Sequence, residues 1–216
     1  MRSIMQKPVI CFDWDGTLAD SMQLCVEEVR LTLERMGLPV PSEDVLRSCN
    51  GPNDEEAAPL IGIPPHRVAE YLDIRVNTGL ALCPTVNRLF PGVREMLEAL
   101  RDKAVLCVVS NGMGNYIDLC LRVFGLEGVF QRTEAFRHGR SKAQALAEVL
   151  TDLQPERAWM VGDRLGDIEA GRANGVPTIA ACYGYGSPDE WAVADLHAQT
   201  VEELSRLLLR LIESAR

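Results

Sequence analysis

Asp13 and Asp15 stand two residues apart in Asp13-Trp14-Asp15-Gly16-Thr17-Leu18, directly after the apolar run Pro8-Val9-Ile10-Cys11-Phe12. A short apolar run closed by a glycine turn reads as a buried strand. Alternation along a strand sends both aspartates to the same side of the chain, and the chain leaves the strand just there, so two carboxylates converge on one small volume. Acids held that close need a cation. Oxygen-only donors suit Mg2+, which takes hard ligands and keeps waters that a phosphate can displace, so this spacing fits phosphoryl transfer. A bare D-x-D pair is commonly solvated surface; the glycine turn and the apolar strand before it set this one apart.

Three further polar groups close apolar runs or open helices. Ser110-Asn111-Gly112 follows Val105 to Val109, Gly162-Asp163 follows Ala158 to Val161, and Lys142 stands at the start of a helix beginning near Ser141. Ser110 offers a hydroxyl, and Asn111 with Gly112 offers backbone N–H groups at a helix start, a ready anion site. Alone, Ser-Asn-Gly is turn chemistry and Lys142 an exposed helix-start lysine. Thr17 reads either as a phosphate contact or as a cap on the following helix. Gly184-Tyr185-Gly186-Ser187 reads as a turn beside the site, and His66, His138 and His197 do not cluster at metal spacing.

The elements that must position these groups follow from periodicity. Apolar residues at Met22, Val26, Val29, Leu33 and Met36 recur at three and four and predict a helix from Ser21 to about Met36, ended by Gly37. Pro41-Ser42-Glu43-Asp44, the segment after Asn50-Gly51-Pro52-Asn53-Asp54, and Pro64-Pro65 open further helices. Four helical pieces and no strand therefore fill residues 20 to about 85. Beyond them, helices alternate with short apolar runs at 105–109, 129–130, 158–161 and 178–180, closed by an amphipathic helix from Val201 to Ile212. Strands alternating with helices imply a parallel sheet covered on both faces. The expected architecture is α/β: a doubly wound core built from residues 1–19 and 86–216, with a helical domain, 20–85, inserted after the first strand. Ligands in such sheets bind beyond the carboxyl ends of the strands, where Asp13, Asp15, Ser110 and Asp163 all fall.

Composition bounds the partners. Among 216 residues, 47% are hydrophobic and 25% charged, the balance of a folded protein, and the formal net charge of −9 argues against a nucleic-acid polymer. The first residues lack a sustained apolar region and no stretch approaches a membrane span, so a cytoplasmic protein without membrane contact is expected. Seven cysteines without C-x-x-C read as buried free thiols in a reducing compartment.

Taken in order, Asp13 to Leu18, Ser110-Asn111-Gly112, Lys142 and Gly162-Asp163-Arg164-Leu165-Gly166-Asp167 resemble the four motifs of the haloacid dehalogenase superfamily of phosphohydrolases, over essentially the whole chain. The resemblance implies that Asp13 attacks phosphorus to give an aspartyl-phosphate, while Asp15 protonates the leaving alcohol and then deprotonates the water that clears the intermediate. It implies Mg2+ held by a carboxylate oxygen of Asp13, the main-chain carbonyl of Asp15 and an acid of the fourth motif, Asp163. Asp167, four residues on, is expected one helical turn from Asp163, orienting a metal water or Lys142 from the same face. Lys142 supplies the cation that balances carboxylates and phosphate; at about 4 Å and an effective dielectric of about 20 such a pair is worth roughly 4 kcal/mol.

Two departures stand out: Trp14 where the family usually has an aliphatic residue or phenylalanine, and Ala143 where many relatives have proline after the lysine. Gly139 to Ala143, Val161 to Arg164 and Tyr183 to Ser187 look closest to the phosphoglycolate phosphatase-like branch. The inserted helices resemble that family's cap, which closes over the site and reads the leaving group. Arg47 and Asn50, flanking the turn at Gly51-Pro52, are the candidate reading residues. No lysine occurs from Ser21 to Arg88, against a Schiff-base phosphonate hydrolase, and the first cap helix lacks histidine, against a sugar-phosphate mutase. Asp15 argues against a haloacid dehalogenase, whose relatives lack that residue. A signalling receiver would be shorter and without the insertion, and the intact Asp13, Asp15, Lys142 and Asp163 set argues against a silent phosphate-binding protein. The expected substrate is a small phosphorylated metabolite such as phosphoglycolate, a sugar phosphate or a nucleoside monophosphate, turned over by a monomer or homodimer.

Overall fold

Val9-Ile10-Cys11-Phe12 is buried at every position, which a strand achieves only inside a sheet covered on both faces. The computed structural model describes residues 7–52 and 54–214, and in it this strand, β1 (Val9–Phe12), lies at the centre of a six-stranded parallel sheet. The others are β2 (Val105–Val109), β3 (Arg132–Glu134), β4 (Ala158–Gly162), β5 (Thr178–Ala181) and β6 (Leu196–Ala198), in the order β3-β2-β1-β4-β5-β6. The order reverses between β1 and β4. That switch point is where an open parallel sheet leaves a crevice beyond its carboxyl ends, and Asp13 and Asp163 are the residues that follow those two strands.

Alternation divides the core. Ile10 and Phe12 face one layer with α5 (Val93–Leu100), α6 (Gly114–Val123) and α10 (Val201–Glu213), whereas Val9 and Cys11 face the other with α7 (Lys142–Leu153) and α8 (Leu165–Ala173). Trp14 joins the first layer, fully buried against Phe124 and Phe130, so its bulk packs the core and does not line the cavity described below.

Between β1 and β2 the chain forms α1 (Met22–Arg35), α2 (Glu43–Arg47), α3 (Asp54–Leu60) and α4 (Val68–Val86), with a single 3-10 turn at Pro65–Arg67. These helices bury an apolar cluster of their own, including Val29, Leu33, Leu46, Ile61 and Tyr71. The two chain crossings into this insert are laced together. Asp20 N–H donates to Arg88 O at 2.8 Å and Phe90 N–H to Leu18 O at 3.0 Å.

Two short elements depart from the expectation. The edge strand is Arg132-Thr133-Glu134, not Val129-Phe130, whose side chains instead pack against the first core layer. Apolar periodicity misses this strand because its buried residue is Glu134, which ion pairs to Arg132, Arg137 and Arg140 make tolerable. A helical turn, α9 (Pro188–Trp191), and β6 complete the far edge, where the sequence signals no strand. Among the described residues no helix is long and apolar enough to cross a membrane, and all seven cysteines are free thiols.

Candidate active site

Because β1 and β4 are neighbours in register, their first residues beyond the sheet come together. Asp13, Asp163 and Asp167 offer carboxylate oxygens within 4.8 Å of one another, and all three residues are buried. Lys142, the first residue of α7, reaches across to them, with Nζ 2.6 Å from Asp167 Oδ1 and 3.0 Å from Asp13 Oδ1. Its placement is set by the helix start: Ser141 caps α7 by accepting from Gln144 N–H, and Gln144 Oε1 accepts from Ser141 N–H.

Burial pushes the Asp13 carboxyl well above the ordinary carboxylate range, and Asp167 and Asp163 push it further against the pull of Lys142. Burial, then Asp167, pushes Asp163 up to about 7. Burial would tend to discharge Lys142, but Asp13 and Asp167 outweigh it and hold the ammonium above its usual value. Three acids thus share one ammonium. The deficit of positive charge and the purely oxygen donor set fit a hard divalent cation such as Mg2+.

The sheet alone does not hold Asp163. Thr17 Oγ1 donates to its Oδ1 at 3.2 Å, and Tyr185 N–H donates to its Oδ2 at 2.7 Å. Trp191 Nε1 donates to its carbonyl at 2.8 Å. Thr17 is therefore bonded to the acid, neither capping α1 nor reaching outward. Gly16 has φ +81°, and a Cβ there would stand 2.3 Å from Asp163 Oδ2; at Gly184 a Cβ would meet the Asp163 Cβ at the same distance. The Gly184 to Ser187 loop, read from sequence as turn chemistry, is a brace for Asp163. Its spaced glycines were the available signal.

Asp163 and Asp167 do not share a helical turn, contrary to expectation. Asp163 precedes α8, and Asp167 occupies the third position of that helix, accepting Arg164 N–H on Oδ2 at 3.0 Å while Oδ1 meets Lys142. A capping interaction brings the two acids together.

Asp15 lies beside the triad, its Oδ1 accepting from the Tyr116 hydroxyl at 2.7 Å. With Asp13 it lines a cavity of about 90 Å³ between core and insert. Ser110, Asn111 and Gly112 line it from the core, and Ser21, Glu28, Asn50, Gly51 and Arg75 from the insert. Gly112 N–H is committed to Ser110 Oγ at 3.0 Å, which removes one of the expected anion donors and leaves Ser110 its hydroxyl proton. Asn111 Nδ2 donates to Gly51 O at 3.2 Å, tying the core loop to the insert's turn. Asn50 is buried and donates to Ser21 Oγ at 3.3 Å. Arg47 is not brought to the cavity. Leu46 takes the inward position of α2, and Arg47 turns outward, half exposed, to pair with Glu43 at 2.9 Å. Sequence reasoning missed Tyr116, Glu28 and Arg75, because aromatic and charged residues within a helical pattern read as core and solvated face.

The haloacid dehalogenase-like hydrolase family matches residues 10–181. The tyrosine-protein kinase PtkA of Mycobacterium tuberculosis is 32% identical over 212 residues, covering 93% of this chain and 72% of that protein. A phosphoglycolate phosphatase of Synechococcus elongatus is 31% identical over 182 residues, covering 82% and 84%. The structure of a haloacid dehalogenase-like family hydrolase of Streptococcus pneumoniae superposes with a TM-score of 0.85 at 22% identity, covering 94% of this chain and 98% of that one.

Proposed function

This chain belongs to the haloacid dehalogenase-like hydrolase family, and on that premise we propose that it is a Mg2+-dependent phosphomonoesterase acting on a small phosphorylated metabolite. The observation that carries the reading is the buried group of Asp13, Asp163 and Asp167 around Lys142, opening onto a cavity that Asp15 also lines.

Asp13 is the nucleophile. Its carboxylate oxygen forms a bond to phosphorus as the ester P–O bond breaks, leaving an aspartyl-phosphate and the alcohol. Asp15 gives its proton to the leaving oxygen, then takes one from the water that attacks the aspartyl-phosphate and frees inorganic phosphate, so one carboxyl serves as acid and then base. Lys142 and the Ser110 hydroxyl meet the phosphate oxygens, and Lys142 also favours the ionised form of Asp13 against the burial and neighbouring acids that oppose it. Asp13, Asp163 and the main-chain carbonyl of Asp15 would hold Mg2+, with Asp167 holding Lys142 in place; bound there, the cation neutralises phosphate charge. The insert, through Asn50 and the turn at Gly51, covers the leaving group. Similarity to a phosphoglycolate phosphatase supports phosphoglycolate as the first substrate to try, with sugar phosphates and nucleoside monophosphates beside it.

Transfer to a tyrosyl hydroxyl in place of water is a second reading, favoured by the similarity to PtkA. One experiment separates them: phosphate release from a phosphomonoester panel with Mg2+ or chelator, beside phosphorylation by ATP with the modified residue located by mass spectrometry. The phosphatase reading expects release that is lost in chelator and a phosphate trapped on Asp13, absent in Asp13→Asn. Full activity in chelator, or phosphate found only on tyrosine, would overturn it.

A further inference from the structure

Tyr116 rises from α6, the core helix that follows the Ser110 loop, and its hydroxyl donates to Asp15 Oδ1 at 2.7 Å. Which way that proton points is fixed by a third residue. Asn87, buried at the C-terminal end of α4, accepts Arg88 N–H on its own Oδ1 at 3.0 Å, so the atom it turns to Tyr116 is the amide nitrogen, 3.0 Å from the phenol oxygen. An amide NH2 only donates. The phenol oxygen therefore accepts from Asn87, and its one proton is committed to Asp15.

We propose that Tyr116, anchored by Asn87, is a positioning residue for Asp15, fixing which carboxylate oxygen faces the leaving group. The proposal rests on the phosphatase reading above. An oxygen already accepting a phenol proton is the poorer site for a second one, so the proton passed to the leaving alkoxide is carried on Oδ2. Loss of that tie removes a restraint on rotation of the Asp15 carboxyl, and Oδ1 then competes with Oδ2 for the position. Asn87 belongs to the segment returning from the insert, so the tie that holds Asp15 is itself anchored where insert meets core.

The test exploits leaving-group chemistry. Nitrophenolate departs without a proton, whereas an alkyl alcohol needs one. With glycerol phosphate as the alkyl substrate, Tyr116→Phe should lower kcat about 10- to 100-fold. The pre-steady-state release of nitrophenol from p-nitrophenyl phosphate should stay within about twofold, since that step bypasses the Asp15 proton. Asn87→Ala, which loosens the phenol without removing it, should shift the same ratio in the same direction by less. In an Asp15→Asn background, adding Tyr116→Phe should cause no further loss, because nothing is left to position.

Equal loss on both substrates in Tyr116→Phe would mean that the ring is structural and would overturn the proposal. So would an unchanged ratio, or a Tyr116→Phe effect undiminished in Asp15→Asn. A wild-type protein that releases phosphate from neither substrate overturns the phosphatase reading and this proposal with it. An active wild type with an unchanged ratio in the variant overturns this proposal alone.

Discussion

Core and insert each bury a group of charges, and the two are composed differently. In the insert, Glu28 faces Arg75: Nε and Nη2 donate to Oε1 at 3.0 and 2.9 Å, and Nη1 donates to the Tyr71 hydroxyl at 2.9 Å. Among the described residues one acid meets one cation there, and the pair joins α1 to α4. In the core, three acids meet one ammonium. A balanced buried pair offsets much of its own desolvation, whereas an unbalanced cluster stays costly until another cation or a proton arrives. Charge stoichiometry thus separates a structural pair from a site built to receive something. Glu134 meets three arginines, which Asp152 and Glu148 also pair with from the surface; those arginines hold its carboxyl below the usual range despite the burial that opposes them.

The sharpest break of that comparison removes the cation from each region. Lys142→Met should cut kcat/KM by roughly 10³-fold, the equivalent of about 4 kcal/mol, with the loss chiefly in phosphate binding. Arg75→Met should instead cost stability, about 3 kcal/mol, because it leaves Glu28 in its recess without the guanidinium. Kinetics and urea midpoints on both variants check this. If Lys142→Met melted the protein while Arg75→Met left the midpoint unchanged, the distinction between the two clusters would be lost.

Metal titration against pH sharpens the comparison further. The fold raises the Asp163 carboxyl to about 7, so it favours the protonated form. In the metal-free protein this group's contribution to stability is full below the ordinary carboxylate pKa and is lost as pH rises through about 7. A cation competes with that proton, so affinity for Mg2+ should fall as pH drops through 7, and the rise in Tm on adding Mg2+ should be larger at pH 8 than at pH 6. Thermal melts at the two pH values decide it; an equal rise at both would contradict the assignment of Asp163.

The smallest effect is expected at Arg47. Its pair with Glu43 is a surface contact one helical turn apart, worth about 0.3–0.5 kcal/mol. Arg47→Ala should change kcat/KM by less than about twofold for every phosphomonoester in the panel, measured in parallel. A substrate-dependent loss would return Arg47 to the leaving-group pocket.

Amino-acid order alone determined the alternation of helix and strand, the parallel sheet and the residues at its carboxyl rim, because apolar runs and 3.6-residue periodicity are local. Asp13, Lys142 and Asp163 were legible for the same reason: each stands one step beyond an apolar strand or at a capped helix start. Tertiary structure decided what no local pattern encodes. The edge strand at Arg132–Glu134 is defined by its pairing with β2, and its buried acid, neutralised by arginines two, three and six residues away, hides it from apolar periodicity. Asp167 joins Asp163 through a cap and not through a shared helical face. Thr17 and the Gly184 loop turn inward onto Asp163 because their chain segments cross there, 146 and 22 residues away from it for the two hydrogen bonds they supply. Tyr116 meets Asp15 across 101 residues, a contact that depends on how α6 lies against β1 and that helical periodicity reads only as core.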